Sequence, residues 1–237
     1  MIGQCFSKDK WNIVILAAGA GSRMGEASMY IPKALSPLGE MRAIDWLILR
    51  YANVAHKFII GTHTHYDLLI NYIAGRYPAS IFEFVTEKEL VNNARSATLC
   101  LDKVNSRYPT LVLFCDLIML DNFELAPNRL FIATKDTLGN TGTFRHHVNK
   151  NGFIEKFSEP KDASQCNGVL GVFSFGNTPL LKAIAYSSWE EHTDFTDDVV
   201  IPYREQEGLL AEECKKVVEF GNQTDLIKAR ELWEKTS

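Results

Sequence analysis

The sequence predicts an α/β protein: a mostly parallel sheet with helices on both faces. Three observations carry that prediction. Short apolar runs, among them Ile13-Val14-Ile15-Leu16, Phe58-Ile59-Ile60 and Thr110-Leu111-Val112-Leu113-Phe114, have the length and composition of buried strands. Segments with helical apolar spacing alternate with those runs, which is the pattern of a parallel sheet. No repeat, low-complexity tract or Pro/Gly/Ser-rich linker interrupts the 237 residues, a length that suits one large domain with a generous core. The expectation is one domain over residues 1–237, in two halves of about 11–120 and 121–237.

Taken in order, residues 1–10 read as a polar lead-in, and a buried strand follows from Trp11 to Leu16. Ala43 to Tyr51 is spaced as a helix, Phe58 to Thr62 is a short strand, and His63 to Tyr77 is a helix again. Ser80 to Val85 is the next strand. Val91 to Val104 carries asparagines at its start, as a helix does, and Thr110 to Phe114 is a buried strand ending in Cys115-Asp116. Beyond Asp121 the pattern loosens. Strands are expected at Arg129–Thr134, Gly142–Val148, Phe153–Phe157 (after an Asn149–Gly152 turn) and Val169–Phe175. Helices at Pro179–Ser188 and Thr196 to about Glu207, a strand at Lys216–Phe220 and a helix at Thr224–Trp233 complete the chain.

Composition narrows the partners. A net charge of −4 argues against nucleic acid or an anionic membrane as the main partner, so any phosphate must be met by a few local cations or a metal. No apolar run approaches the ~20 residues of a membrane helix, and MIGQCFSKDK lacks the apolar core of a signal peptide. Five scattered cysteines without a CxxC suit reduced thiols and imply no zinc site. A cytoplasmic protein, monomeric or homodimeric, is expected.

The stretch that points to chemistry is Trp11 to Lys33, WNIVILAAGAGSRMGEASMYIPK. A strand that runs into Ala17-Ala18-Gly19-Ala20-Gly21 leaves backbone N–H groups open to a ligand. Arg23 and Lys33 add fixed positive charges, so the stretch reads as a triphosphate site. The Walker pattern fails because Glu26 follows Gly25, and the dinucleotide fingerprint fails because Met24 stands at its third glycine. Leu16 to Met24, then Pro32-Lys33-Ala34-Leu35, resembles the LAAGxGSRM…PKAL signature of the nucleotidyltransferases that build NDP-sugars and CDP-alcohols. The resemblance is strong at 13–35, moderate near 92–99, 116 and 219–226, and weak between 120 and 215. It implies a three-layer α/β/α Rossmann-like (GT-A-like) fold, with a nucleotide-binding first half and an acceptor-binding second half.

Nucleotidyl transfer is an in-line displacement at the α-phosphorus, so its site must align and neutralise charge more than donate or accept protons. The resemblance assigns nucleotide binding to Leu16, Ala17, Ala18, Gly19, Gly21, Ser22, Arg23 and Lys33, with Arg23, Lys33 and Asp116 catalytic. Asp116 ends a buried strand, where ligands of open α/β sheets collect. The resemblance makes it the first expected Mg²⁺ ligand, with Cys115 before it where the family usually has glycine. Glu219, in Glu219-Phe220-Gly221-Asn222-Gln223-Thr224-Asp225-Leu226, is the second ligand, at a position the sugar enzymes usually give to Asp. Asn93 and Ser96 are expected at the pyrimidine and ribose, with Asn92 alternatively a helix cap. Gly152 to Lys161 resembles a stretch ending in Glu-Lys-Pro. It places Lys156, Glu159 and Lys161 at the acceptor, and Asp197 joins them from HTDFTDDVV. Trp189 beside Glu190 and Glu191 suits a cationic acceptor.

The resulting expectation is a Mg²⁺-dependent nucleotidyltransferase. It would take CTP, UTP or dTTP and a small phosphorylated acceptor, first of all a sugar 1-phosphate in NDP-sugar biosynthesis. A cytidylyltransferase for phosphocholine or a related phosphoester or phosphonate is the alternative. A nucleotide-binding protein without turnover is the alternative from another class.

Overall fold

A computed structural model describes residues 5–19, 30–89, 91–133, 145–158, 167–187 and 189–236. In chain order the elements begin with β1 (Cys5–Phe6), β2 (Trp11–Leu16), β3 (Pro37–Leu38), β4 (Met41–Arg42) and α1 (Ala43–Tyr51). Then come β5 (Ala55–Thr62), α2 (Tyr66–Ala74), β6 (Phe82–Thr86), α3 (Asn93–Asp102), β7 (Thr110–Phe114), β8 (Leu117–Met119) and β9 (Phe123–Glu124). The later part holds β10 (Arg129–Ala133), β11 (Arg145–Val148), β12 (Ile154–Ser158), β13 (Asn167–Phe175) and α4 (Thr178–Tyr186). It ends with α5 (Ile201–Glu207), β14 (Leu210–Cys214), β15 (Val217–Glu219) and α6 (Gln223–Thr236).

Nine described strands form the main sheet, in the order β12-β11-β13-β7-β2-β5-β6, with β10 on β13 and β14 on β10. β7, β2, β5 and β6 run parallel. β13 joins β7 antiparallel, so one sheet takes strands from both halves of the chain. Strand β2 is buried along its whole length because both faces are covered. Its alternation sends Ile13 and Ile15 to a core with Ile44, Leu47, Leu69 and Leu226, from α1, α2 and α6. Val14 and Leu16 go to the opposite core with Ala97, Leu181 and Tyr203, from α3, α4 and α5. Each such aliphatic side chain contributes about 1.5–3 kcal/mol of burial. The arrangement is the three-layer, mostly parallel fold expected of the sequence. Among the described residues, no helix is long and apolar enough to cross a membrane.

Several expectations change in detail. Residues 5 and 6 are not a loose lead-in, for Cys5 is buried and the pair adds a short parallel strand to Phe123–Glu124. Strand β14 falls where no element was expected. It lies on β10, and Glu212-Glu213 within it hide the apolar signal of a strand. Asp116 lies in a two-residue turn, because the chain leaves β7 and re-enters a short ribbon, β8 against β15. The helix after Asp194 opens with one wide π-type turn at Thr196–Val200, where Ile201 N–H donates to Thr196. Pro202 has no N–H to offer the carbonyl four residues earlier, so a regular α-helical ladder fails there.

Candidate active site

Parallel strands bring their carboxyl ends together, and here β2, β5, β6 and β7 end side by side. At the end of β2, Leu16, Ala17 and Ala18 are buried and Gly19 is exposed, with no atom of the described residues within 4 Å of where a Cβ would sit. Ala17 N–H donates to Gly61 O (2.9 Å), and Cys115 N–H donates to Leu16 O (3.2 Å). The loop thus starts from a point held by both neighbouring strands. Gly21, Ser22 and Arg23 lie outside the described residues, as do Glu159 and Lys161.

Lys33, Asp116 and Glu219 come from three distant parts of the chain and converge. Pro32, at φ −65°, delivers Lys33 into a short 3₁₀ turn over residues 33–35. The Lys33 ammonium donates to Asp116 Oδ2 at 2.6 Å, with the two side chains only 13% and 22% exposed. Asp116 and Glu219 are fixed by the β8/β15 ribbon, in which Leu117 faces Glu219 and Phe220 N–H donates to Asp116 O (3.0 Å). Gly221 marks the meeting point. A Cβ there would lie 3.3 Å from Glu219 Oε1, 3.7 Å from Asp116 Oδ2 and 4.0 Å from Lys33 Nζ. Two carboxylates and one ammonium therefore surround one small space. Gly221→Ala should lower kcat about tenfold, a loss of about 1.4 kcal/mol, while the thermal midpoint moves little. An unchanged kcat would show that the space is not used.

Two carboxylates are the share of ligands a protein usually offers Mg²⁺ at a triphosphate, the rest being phosphate oxygens and water. Asp116 and Glu219 fit that role. Among the described residues there is no group of three or more His, Cys, Asp or Glu side chains that would suit a metal held by protein alone. Cys115 is buried beside them. Burial, reinforced by Asp116 and opposed by Lys33, pushes its thiol up to about 12, so it stays protonated.

At the end of β6 the turn into α3 holds buried polar atoms. Glu87 is 5% exposed and Ser96 3%, and among the described residues neither the Glu87 carboxylate oxygens nor the Ser96 hydroxyl has a partner at full hydrogen-bond geometry, although Ser96 and the Val91 backbone lie near the carboxylate. Burial raises the Glu87 pKa, while Ser96, His63 and the Val91 backbone oppose the rise. Ser96 Oγ lies 3.3 Å from where a Gly61 Cβ would be, on the side of the strand ends. Sequence reasoning named Ser96 but passed over Glu87 and Gly221. The signal for Glu87 was its place directly after a strand, and for Gly221 the small residue next to an acidic one.

Other expected residues sit elsewhere. Asn92 is the N-cap of α3, its Oδ1 accepting from Arg95 N–H (2.9 Å). The Asn93 amide, expected at the pyrimidine, is engaged instead by Asp194 and Phe195. Lys156 stands on β12, three strands beyond β7, roughly 14 Å across the sheet. One face of the Trp189 ring is taken by the Arg95 guanidinium, 4.9 Å from the ring centroid. On that face the chain supplies its own cation. Asp194 caps the following turn, its Oδ1 accepting from Thr196 N–H (2.8 Å), and Asp198 Oδ2 accepts from Asp194 N–H (2.8 Å). Asp197 is exposed, and its pKa is raised by burial of its carboxyl and by Asp194 and Asp198.

Known proteins share this frame. Residues 13–125 match the MobA-like NTP transferase domain. The chain is 25% identical over 197 residues to the 2-aminoethylphosphonate cytidylyltransferase of Lancefieldella rimae, covering 81% of this chain and 80% of that protein. It is 28% identical over 162 residues to the bifunctional protein GlmU of Ralstonia nicotianae, covering 65% of this chain and about a third (34%) of that protein. In fold it is similar to the CTP:phosphocholine cytidylyltransferase LicC of Streptococcus pneumoniae, with a TM-score of 0.76 at 18% identity over 94% of this chain and 99% of that one. The inositol-1-phosphate CTP transferase of T. maritima superposes with a TM-score of 0.74 at 20% identity over 97% of both chains. In sequence over residues 13–125, and in fold over nearly the whole chain, this protein is thus similar to nucleotidyltransferases.

Proposed function

We propose that the protein is a Mg²⁺-dependent cytidylyltransferase that joins CMP from CTP to a small phosphonate or phosphate monoester and releases pyrophosphate. The observation that carries the transfer is the convergence of Lys33, Asp116 and Glu219 around Gly221. CTP is favoured over UTP and dTTP by the relative that acts on 2-aminoethylphosphonate, of whose length the chain covers four fifths (80%). A sugar 1-phosphate, the first expectation from sequence, is the second reading. It draws on GlmU over part of its length and on UDP-glucose pyrophosphorylase, whose fold has a TM-score of 0.74.

In this reading the acceptor oxygen attacks the α-phosphorus in line with the departing pyrophosphate, and no covalent protein intermediate forms. Asp116 and Glu219 would hold Mg²⁺, which when bound supplies charge neutralisation at the triphosphate. Lys33 and Asp116 keep each other compensated while no nucleotide is bound. With nucleotide bound, Lys33 would meet a phosphate oxygen, where charge builds in the transition state. The backbone from Leu16 to Gly19 would line the nucleotide, with Gly21, Ser22 and Arg23 extending it, and Ser96 would meet the base or ribose. Asp197 is the acceptor-side candidate, with Lys156, Glu159 and Lys161 as further ones.

Two measurements bear on this. Lys33→Ala should lower kcat/KM by at least about 2 kcal/mol, roughly 30-fold, as the loss of one charge-assisted phosphate contact. A loss below about 0.5 kcal/mol would remove Lys33 from the transition state. Pyrophosphate release with Mg²⁺ should then be followed for CTP, UTP, dTTP, ATP and GTP against 2-aminoethylphosphonate, phosphocholine, phosphoethanolamine and hexose 1-phosphates. Signal with CTP and an amino-alcohol phosphate or phosphonate is expected. Signal confined to a sugar 1-phosphate would replace the acceptor, and silence with bound nucleotide would leave binding without catalysis.

A further inference from the structure

The two asparagines at the start of α3 reach across the molecule. Asn92 Nδ2 donates to the His192 carbonyl (2.7 Å), while its Oδ1 caps α3. Asn93 Nδ2 donates to Asp194 Oδ2 (3.0 Å), and its Oδ1 accepts from Phe195 N–H (2.9 Å). One turn on, the Arg95 guanidinium covers one face of the Trp189 ring, and Thr98 Oγ1 shares its proton between Ala94 O (2.9 Å) and Ala185 O (3.2 Å). Four residues of this helix and its cap therefore hold Ala185, Trp189, His192, Asp194 and Phe195 of the other half. The Asp194 carboxylate takes the Asn93 bond on one oxygen and caps the Thr196–Val200 turn with the other. The position of Asp197 is set through this chain of bonds.

The same helical turn faces the strand ends. Among the described residues, Ser96 and Glu87 leave three buried polar atoms without well-formed hydrogen bonds there, a cost that a ligand at this turn would relieve. One turn of helix thus carries unmet polar groups at the nucleotide side and a fully bonded strap to the acceptor side. We propose that Asn92 and Asn93 are positioning residues that couple nucleotide occupancy at the β6–α3 turn to the acceptor-side segment 189–198. The proposal rests on the nucleotidyl-transfer reading above. It predicts positive cooperativity, with nucleotide bound first improving acceptor affinity, and reciprocally.

The test uses two variants of the full chain. Asn92→Asp keeps the cap oxygen for Arg95 N–H and replaces the donor to His192 by a carboxylate oxygen that the His192 carbonyl repels, so the cap is retained while the strap is broken. Asn93→Ala removes both bonds to Asp194 and Phe195. In each, acceptor KM should rise about tenfold while the dissociation constant of CTP, measured without acceptor, stays within about twofold. Amide hydrogen exchange provides a readout that needs no turnover: CTP with Mg²⁺ should slow exchange over residues 189–200 in the wild type and not in Asn92→Asp. Equal losses of CTP affinity and acceptor affinity would assign the pair to the nucleotide itself and overturn the coupling. So would an unchanged acceptor KM, or bound CTP without effect on 189–200. If neither CTP nor UTP binds the wild type, the nucleotidyl-transfer reading falls first and takes the coupling with it.

Discussion

Asp116→Ala should lower pyrophosphate release by about 10³-fold or more and leave the fold in place. The magnitude follows from what the side chain does in the proposed chemistry. One carboxylate of two would be gone from the cation site, and the negative charge that develops at the triphosphate would lose most of its compensation. Fold retention follows from how Asp116 is built in. The bond that joins β8 to β15 at this point uses its backbone carbonyl, which accepts from Phe220 N–H, and alanine keeps that carbonyl. The side chain's own partner is the Lys33 ammonium, 13% exposed, which would lose its counter-charge at a cost of about 1–2 kcal/mol. A modest drop in thermal midpoint with the circular dichroism spectrum retained is therefore expected. Turnover within tenfold of wild type, with unchanged Mg²⁺ dependence, would take Asp116 out of the metal site. A large loss of kcat in Asp116→Ala beside a small one in Gly221→Ala would separate the charge itself from the shape of the space around it.

The local signals for this site were readable because each lies in a short, chemically marked stretch. The strand ending in Ala17-Ala18-Gly19, the Pro32-Lys33 pair and the Cys115-Asp116 strand end follow from residue type and order alone. What could not be read is how far each side chain reaches. Asn93 looks like a base reader when only its neighbours are known, yet its partners are about a hundred residues on, at Asp194 and Phe195. Trp189 looks like a cation site until Arg95 is found on its ring. Periodicity also fails where elements are short or borrow stability from elsewhere. Cys5–Phe6 and Leu210–Cys214 pair with strands more than 75 residues away in sequence, and neither has enough apolar side chains to announce a strand. Pairing of this kind is a property of the assembled sheet.

The largest effect on stability is expected at a residue that takes no part in catalysis. Asp45 sits in the first turn of α1 with its side chain fully buried. Its carboxylate accepts from Arg42 N–H (2.9 Å), Tyr72 OH (2.6 Å) and Tyr77 OH (2.7 Å), with Arg76 Nε at 3.5 Å. One side chain thus closes the α1 N-terminus and ties it to α2 and to the chain that follows α2. Asp45→Ala would strand a backbone N–H and two phenolic donors, and should cost about 3–4 kcal/mol in urea denaturation. Asp45→Asn keeps the volume and one good acceptor, and the hydroxyls can turn to accept from its amide, so about 2 kcal/mol is expected. The two tyrosines supply a second readout. Burial raises both phenol pKa values first, and the Asp45 carboxylate raises them further. Removing that carboxylate should move their ionisation, followed by absorbance near 295 nm, to lower pH in Asp45→Ala. A destabilisation below about 1 kcal/mol, together with unmoved tyrosine titration, would mean that these bonds do not persist in solution. Such a result would transfer the anchoring of α1 to the apolar contacts of Ile44, Leu47 and Ile48 alone.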